Sequence, residues 1–269
     1  MTKKLKIVVL AKQVPDTRNV GKDAMTPEGT VNRTALPAIF NPEDMNALEQ
    51  ALRIKETMPE SEVLLLTMGP ARAAEIIREG LFRGADGGIL LSDRKFAGAD
   101  TLATSYALSQ TIKQINPDII LAGRQAIDGD TAQVGPQVAE KLDIPQITYA
   151  EEIMEVSADS ITIKRRLERG IEVVTSTLPA LVTVHATAAK CRPRHAKQVM
   201  KHKYTPIIEW NADKIGGEDS SYGLSGSPTK VKKVENIVFQ AKEAKKLTSS
   251  DADIDALIGE LIANHTIGQ

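Results

Sequence analysis

Short apolar runs alternate with longer amphipathic stretches over the first two thirds of the chain. The runs contain few polar residues and are only four to seven residues long, which is typical of strands buried on both faces of a parallel sheet. We therefore predict five buried parallel strands. They cover residues 5–11, 63–67, 88–91, 118–122 and 180–184.

The stretches between these runs carry apolar residues at helical spacing. In the first stretch, Asn41 is placed to cap a helix and Pro42 occupies its first position. Glu43 and Asp44 put negative charge at the positive end of the helix dipole. Alternating strands and helices predict an α/β fold with a doubly wound, mostly parallel, Rossmann-like sheet that binds ligands at the carboxyl ends of its strands. The predicted helices cover residues 42–57, 71–82, 99–115 and 131–142.

Residues 152–177 change to an alternation of apolar and polar positions with a period of two. Ile161 and Ile163 lie on one arm of this pattern, and Ile171 and Val173 lie on the other. The alternation predicts a β-hairpin that extends the sheet.

Residues 189–269 differ in composition from the predicted α/β domain of residues 1–188. Residues 190–204 contain six Lys and Arg and no acidic residue, and residues 211–228 are rich in Gly, Ser and Asp. We expect neither stretch to bury enough apolar surface to offset the entropy of ordering it.

The pattern near the end of the chain, over residues 251–263, predicts an amphipathic helix capped by Ser249 or Ser250. This helix can end an arm that wraps around a partner chain, or it can fold back on its own domain. The sequence leaves both arrangements open. The predicted apolar face consists of Ile254, Leu257, Ile258 and Leu261.

Charge and composition disfavour several classes of partner. Lys and Arg (34) nearly balance Asp and Glu (35), so no overall field attracts a polyanion, and an aromatic content of 3% leaves few platforms for stacking bases. We expect no nucleic-acid partner. Since no apolar run is long enough to span a bilayer and no signal peptide precedes the first strand, we expect a cytoplasmic protein that does not span a membrane.

The segment after the fourth predicted strand is the main candidate for ligand binding. Gly123 and Gly129 permit close backbone approach, and a helix that begins near Thr131 leaves its first amides free to hold an anion. Asp128 or Asp130 can bond ribose hydroxyls or orient the loop. We predict that this segment holds the phosphates of an adenine nucleotide, while a tight strand-to-helix turn with a cap remains the alternative. The candidates are Gly123, Arg124, Gln125, Asp128, Gly129, Asp130, Thr131, Ala132, Gln133 and Val134.

Further loops end at the same sheet edge if the strands are parallel. Lys12 is the natural partner for a phosphate, with an ordinary solvated lysine as the alternative. Gly69 can likewise be part of a simple turn that opens the next helix. These loops add Ala11, Lys12, Asn41, Met68 and Gly69 as candidates.

The sequence predicts no catalytic residue and no metal site. Its four histidines lie in the C-terminal third without ligand spacing, and Cys191 has no resolving cysteine or base, so we expect an inert thiol. Two other function classes stay open beside the one that follows. The first is a nucleotide-binding regulatory or stress-type protein on a related α/β fold. The second is a nucleotide-hydrolysing or adenylating enzyme, for which Asp128 with Asp130 is the only hint of a metal-binding pair.

Taken together, these segments resemble the β subunit of electron transfer flavoprotein over nearly the whole chain. The segments before the hairpin that carry the resemblance are residues 11–16, 41–42, 67–70 and 123–134. Arg169 departs from the family signature, which usually has an acidic residue or Gly there. The positions that match the signature in the hairpin are Arg165, Glu168, Gly170, Glu172 and residues 179–183.

The resemblance implies a heterodimer with an α subunit that binds a catalytic FAD, in which electrons pass from dehydrogenases to an acceptor. It implies that this chain holds AMP or a second FAD. Residues 128–134 look more like the electron-bifurcating members, whose β subunit carries FAD and meets NADH, than like the mitochondrial members, which hold AMP. We therefore expect FAD, with AMP as the alternative, and NADH as a transient donor. The site implied by the family comprises Leu10, Ala11, Asn41, Met68 and residues 123–134.

In the family, the stretch that matches residues 189–200 forms a recognition loop for an acyl-CoA dehydrogenase of fatty acid oxidation. Pro193 and Arg194 match it, and Val199 with Met200 can form the apolar anchor. The loop is shorter here than in the mitochondrial type. A solvated basic loop is the alternative. The predicted basic rim consists of Lys197, Lys201 and Lys203.

Overall fold

The computed structural model describes residues 4–16, 37–229 and 245–267. Its strands are β1 (Lys6–Leu10), β2 (Gln13–Pro15), β3 (Ala38–Phe40), β4 (Glu62–Met68), β5 (Gly87–Leu91), β6 (Ile119–Gly123), β7 (Gln146–Val156), β8 (Ser160–Leu167), β9 (Gly170–Thr177), β10 (Ala180–Val184) and β11 (Ile208–Trp210). Its α-helices are α1 (Pro42–Thr57), α2 (Ala74–Arg83), α3 (Thr101–Ile115), α4 (Val134–Leu142), α5 (Ala196–His202), α6 (Ala212–Ile215) and α7 (Asp251–Ala263).

The main sheet has nine strands in the order β11-β5-β4-β1-β6-β10-β7-β8-β9. All pairs from β11 to β7 are parallel, whereas β7, β8 and β9 are antiparallel. The chain builds outward from β1 through β4 to β5 and then crosses to the other side of β1 to form β6. This reversal confirms the predicted doubly wound fold, and it places a topological switch point between β1 and β6.

Apolar residues cover both faces of the sheet. Alternate residues of β1 point to opposite faces, so Ile7 and Val9 pack in a core with α1 and α2, whereas Val8 packs in a second core with α3 and α4. These β1 side chains have no solvent exposure. Burial on both faces explains why the parallel strands read as continuous apolar runs.

The predicted hairpin is confirmed as β8 and β9, and β7 makes it a three-stranded meander. Ile161 and Ile163 are fully buried, but Ile171 and Val173 are 51% and 59% exposed. The pairing register explains the difference, because Val173 lies opposite Lys164 on the outer face, whereas Val174 lies opposite Ile163. A shift of one residue in a strand moves a side chain to the other face.

The prediction that residues 211–228 bury little apolar surface is wrong, whereas in residues 190–204 only His202 is buried, so no apolar side chain is buried there. Strand β11, which lies between these two stretches, pairs with β5 and forms one edge of the sheet. Tyr222 is only 2% exposed, and its ring centroid lies 5.1 Å from that of Phe96 and 5.3 Å from that of Tyr106. A few large aromatic contacts hold this segment, although its average composition is polar. The division of the chain after residue 188 stays a prediction.

Helix α7 forms where the sequence predicts it. Ser250 is the cap, since its hydroxyl accepts a hydrogen bond from the backbone N–H of Asp253. No residue of α7 is buried. Within the described part of the chain, the helix therefore does not fold back on its own domain.

Candidate functional site

A cavity of about 440 Å³ lies at the switch point, beyond the carboxyl ends of β1 and β6. Its walls come from the segment after β6, the start of α4, and the segment of residues 96–104 that leads from β5 into α3. This volume falls within the range of roughly 300–1,000 Å³ that small-molecule pockets occupy. The fold thus provides a ligand-sized cavity where doubly wound sheets bind ligands.

Most of the predicted site residues meet at this cavity. Asn41, Gly69 and Asp128 do not line it. Those that do are Leu10, Ala11, Lys12, Met68, Gly123, Arg124, Gln125, Gly129, Asp130, Thr131, Ala132, Gln133 and Val134.

Sequence reasoning missed one whole wall of the cavity. Asp100 organises this wall, because its carboxylate caps α3 by accepting bonds from the N–H groups of Leu102 (2.9 Å) and Ala103 (3.0 Å). An Asp directly before the predicted third helix was a signal that the sequence offered. The lining residues that were not predicted, on this wall and elsewhere, are Asp44, Leu66, Phe96, Gly98, Ala99, Asp100, Thr101, Thr104, Leu108, Ala122 and Gly135.

The first turn of α1 ties the two central strand ends together. One oxygen of Asp44 accepts the backbone N–H of Gly123 (3.0 Å), and the other accepts the backbone N–H of Lys12 (2.8 Å). Asp44 is 7% exposed. Its carboxylate therefore does more than complement the helix dipole, as the sequence suggested, because it fixes the ends of β1 and β6 relative to each other.

Asn41 and Glu43 hold the next part of the loop. Asn41 makes no side-chain cap on α1, contrary to the prediction. Its amide group instead donates to the carbonyl of Gln125 (2.9 Å) and accepts the N–H of Ile127 (3.2 Å). Glu43 accepts the N–H of Gln125 (3.0 Å) and pairs with Arg124 (3.2 Å). The amides at the start of the loop are thus bonded within the chain.

Gly123 is required by this packing. A Cβ atom at this position would lie 2.7 Å from the backbone nitrogen of Asp44 and would meet its carboxylate. The close approach for which Gly123 was singled out is therefore made by helix α1.

The end of the loop supplies the donors that an anion needs. Asp130 and Ala132 have left-handed backbone conformations, with φ of 48° and 53°. The turn at Ala132 delays α4, which begins at Val134 instead of Thr131. The first N–H groups of a helix have no intrahelical acceptor. The cavity is therefore lined by a helix N-terminus, which favours negative charge.

Lys12 is not the simple solvated lysine that was the alternative. Its Nζ lies 2.7 Å from a carboxylate oxygen of Asp128. The side chain of Lys12 is 50% exposed and lines the cavity, whereas Asp128 does not line it. Asp128 thus orients the lysine and the loop.

Two charged groups of the site have shifted pKa values. Burial raises the pKa of Asp44 to about 7, even though hydrogen bonds from Asn41 and from the backbone N–H groups of Lys12 and Gly123 act in the opposite direction. Burial lowers the pKa of Arg124, but the Glu43 carboxylate more than offsets this and leaves the pKa above its ordinary value. Asp44 therefore titrates near neutral pH, and Arg124 stays charged.

The predicted docking residues lie together on the surface around α5, away from the cavity. Arg194 is paired with Glu79 of α2, and its guanidinium lies 5.9 Å from the ring centroid of Phe82. Met200 is 84% exposed. The remaining predicted docking residues are Pro193 and Lys197, both exposed, and Val199, which is half-buried. Their docking role stays a prediction.

The Cys191 thiol lies beside this surface. Burial raises its pKa to about 11. A thiol with so high a pKa is a poor nucleophile, which agrees with the expectation of an inert side chain.

Comparison with known proteins identifies the family. Residues 28–215 match the electron transfer flavoprotein domain. The chain belongs to the electron transfer flavoprotein family. It is 47% identical over 237 residues to the electron transfer flavoprotein subunit beta of Megasphaera elsdenii, which covers 86% of this chain and 87% of that protein.

Two further relatives are named for larger complexes. The chain is 46% identical over 228 residues to the caffeyl-CoA reductase-Etf complex subunit CarD of Acetobacterium woodii, covering 84% of this chain and 86% of that subunit. It is 40% identical over 278 residues to the acryloyl-CoA reductase electron transfer subunit gamma of Anaerotignum propionicum, covering 98% and 100%.

Membership of the electron transfer flavoprotein family supports a role in electron transfer and pairing with an α subunit. It also disfavours the regulatory or stress-type protein and the nucleotide-hydrolysing enzyme as readings of this chain. Across the residues that the structure describes, no helix has both the length and the apolar character needed to cross a membrane.

Proposed function

We propose that this chain is the β subunit of a heterodimeric electron transfer flavoprotein that holds FAD, or AMP in the same position, at the switch-point cavity. In this role it carries electrons between dehydrogenases and an acceptor, and we place it in the cytoplasm. The observation that carries the proposal is the cavity, because most of the predicted nucleotide-binding residues line it. The relatives of the chain include electron transfer flavoprotein β subunits.

The residues around the cavity fit an adenine nucleotide. The N–H groups at the start of α4 and the ammonium group of Lys12 would hold its phosphates. Apolar side chains from β1, β4, α3 and the segment between β5 and α3 offer a dry wall for the adenine ring. A bound FAD would supply the two-electron chemistry that no side chain of this chain provides. The residues of the dry wall are Leu10, Leu66, Met68, Phe96 and Leu108.

The partner surfaces fit the same proposal. The exposed apolar face of α7 is suited to the α subunit. The surface around α5, with Met200 as an apolar anchor, would dock an acyl-CoA dehydrogenase or a similar flavoprotein. The relatives named for caffeyl-CoA reductase and acryloyl-CoA reductase favour a partner that acts on an unsaturated acyl-CoA. NADH is the proposed transient donor.

The test is to co-express the chain with its α subunit, purify the complex and reduce it without oxygen. We expect a stable complex whose flavin is bleached either by an acyl-CoA with its dehydrogenase or by NADH. Bleaching by NADH alone would favour the electron-bifurcating type. Failure to form a flavin-containing complex would overturn the proposal.

A further inference from the structure

Tyr149 adopts a backbone conformation that large residues avoid. Its φ is 61°, in the left-handed region, within strand β7. A bulky residue with this φ is an outlier that persists only when its surroundings enforce it. Such outliers cluster at functional sites, so the surroundings of Tyr149 call for a physical explanation.

A register shift and two hydrogen bonds surround this conformation. The pairing of β10 with β7 shifts register between Val182 and Val184. The N–H of Tyr149 donates to the hydroxyl of Thr183 (3.3 Å), and the N–H of His185 donates to the carbonyl of Ala150 (2.8 Å). The tyrosine is 37% exposed.

The ring completes a stack with two polar side chains. The centroid of the His185 imidazole lies 5.7 Å from that of Tyr149, at an interplanar angle of 29°. The guanidinium carbon of Arg124 lies 5.6 Å from the tyrosine centroid. His185 Nδ1 lies 2.9 Å from the hydroxyl of Thr187 and accepts the N–H of Thr187 (3.3 Å), which holds the ring in place.

The stack adjoins the cavity. Arg124 follows β6, His185 follows β10, and Tyr149 lies in β7, and these three strands are neighbours in the sheet. Arg124 both lines the cavity and contacts the tyrosine ring. A ligand held in the cavity can therefore extend onto the stack without crossing the sheet.

We propose that the Arg124–Tyr149–His185 stack is a contact platform for the isoalloxazine ring of a flavin. This inference rests on the proposed function. The stack offers a planar ring two flat groups, the imidazole of His185 and the partly exposed ring of Tyr149. The guanidinium of Arg124 adds a positive charge beside them that favours an anionic reduced flavin. AMP has no second ring and cannot use the platform. The flavin is either the FAD in the cavity of this chain or the FAD of the partner subunit.

The test uses the complex with the α subunit and three changes at one position. Tyr149→Leu removes the ring. Tyr149→Gly also removes it but tolerates the left-handed backbone, so it keeps the fold testable. Tyr149→Phe keeps the ring. Tyr204→Leu is the matched control, because Tyr204 is 83% exposed and lies after α5, far along the chain from the cavity loops.

The first arm measures FAD and AMP affinity after the nucleotide of this chain has been removed. If the flavin belongs to this chain, Tyr149→Leu and Tyr149→Gly weaken FAD binding about threefold to tenfold and leave AMP binding unchanged. Tyr149→Phe and Tyr204→Leu retain the affinity for FAD. The second arm saturates the cavity with AMP and records the absorption spectrum and reduction potential of the flavin that remains. If the platform contacts the flavin of the partner subunit, Tyr149→Leu shifts both.

Either of these results supports the platform and identifies the source of the ring. The platform is overturned if every variant binds FAD and AMP as tightly as the wild type does and the flavin of the partner subunit is unchanged. The stack would then be only a structural link between strand ends. If the wild-type complex binds AMP and the Tyr149 variants behave like it in both arms, only the platform is overturned. A wild-type complex that binds neither nucleotide overturns the proposed function as well, before any variant is compared.

Discussion

The loop after β6 and helix α7 differ in how far the chain itself completes their contacts. Asn41, Glu43 and Asp44 bond the backbone of the loop, so the cavity wall is held by the chain itself. In α7, Leu257 is 40% exposed and Ile258 is 43% exposed, and no residue of the helix is buried. The loop fits the small ligand that we propose for the cavity, whereas α7 exposes an apolar face that we propose a second chain covers.

Gly123→Ala should disrupt the loop after β6 and have the largest effect of the changes described here. The new Cβ would lie 2.7 Å from the backbone nitrogen of Asp44, so we expect a loss of about 1–3 kcal/mol in the free energy of unfolding and loss of bound nucleotide. Gly129→Ala is the matched control, because its Cβ would meet no atom within 4 Å. Denaturant unfolding and nucleotide content measure both. Equal stability of the two variants would contradict the packing account.

The pH dependence of stability should reveal Asp44. Its pKa is about 7 in the fold and 3.8 as an ordinary carboxyl, so the folded chain binds this proton more tightly. The contribution of Asp44 to stability is fully present below pH 4 and is lost as the pH rises toward 7. We expect Asp44→Asn to remove up to about 2 kcal/mol of this decline between pH 5 and 7. Urea unfolding across this range is the measurement, and an unchanged slope would count against it.

A charge on the apolar face of α7 should weaken only the binding to the α subunit. We expect Ile258→Asp to weaken binding to the α subunit about tenfold to a hundredfold, since it places a carboxylate in an apolar contact. The thermal midpoint of the chain and its nucleotide content should not change. Asp255→Ala, an exposed change on the same helix, serves as the control. Binding is measured by titration, and equal affinities for both variants would show that α7 faces solvent in the complex.

The ion pair between Lys12 and Asp128 should have the smallest effect on stability. Lys12 is half exposed, so breaking the pair should cost less than about 1 kcal/mol. Lys12→Ala should weaken nucleotide binding more than Asp128→Ala, because only Lys12 lines the cavity. Calorimetric titration with AMP separates the two. A larger loss for Asp128→Ala would indicate that orientation of the loop matters more than the lysine charge.

The strands and the location of the cavity could be predicted because their signals are local. Continuous apolar runs such as 118–122 mark strands buried on both faces, and parallel strands bring their following loops to one edge. The start of α4 could not be placed, because the left-handed turn at Ala132 has no glycine to signal it.

The missed features depend on contacts between distant residues. The carboxylates of Glu43 and Asp44 match a helix dipole in sequence, and only the fold shows them bonded to residues some 80 positions away. Tyr222 lies in a polar segment and is buried because Phe96 and Tyr106 receive its ring. The register that exposes Val173 depends on its partner Lys164. None of these is encoded within a short window.

The most direct test of the central claim is to count the nucleotides released from the purified heterodimer. We expect a second nucleotide beside the flavin that we propose for the α subunit, lost in Gly123→Ala and retained in Gly129→Ala. FAD in that position would make this chain a redox partner, and AMP would make its nucleotide structural. A heterodimer without a second nucleotide, or one that keeps it in Gly123→Ala, would contradict the assignment of the cavity.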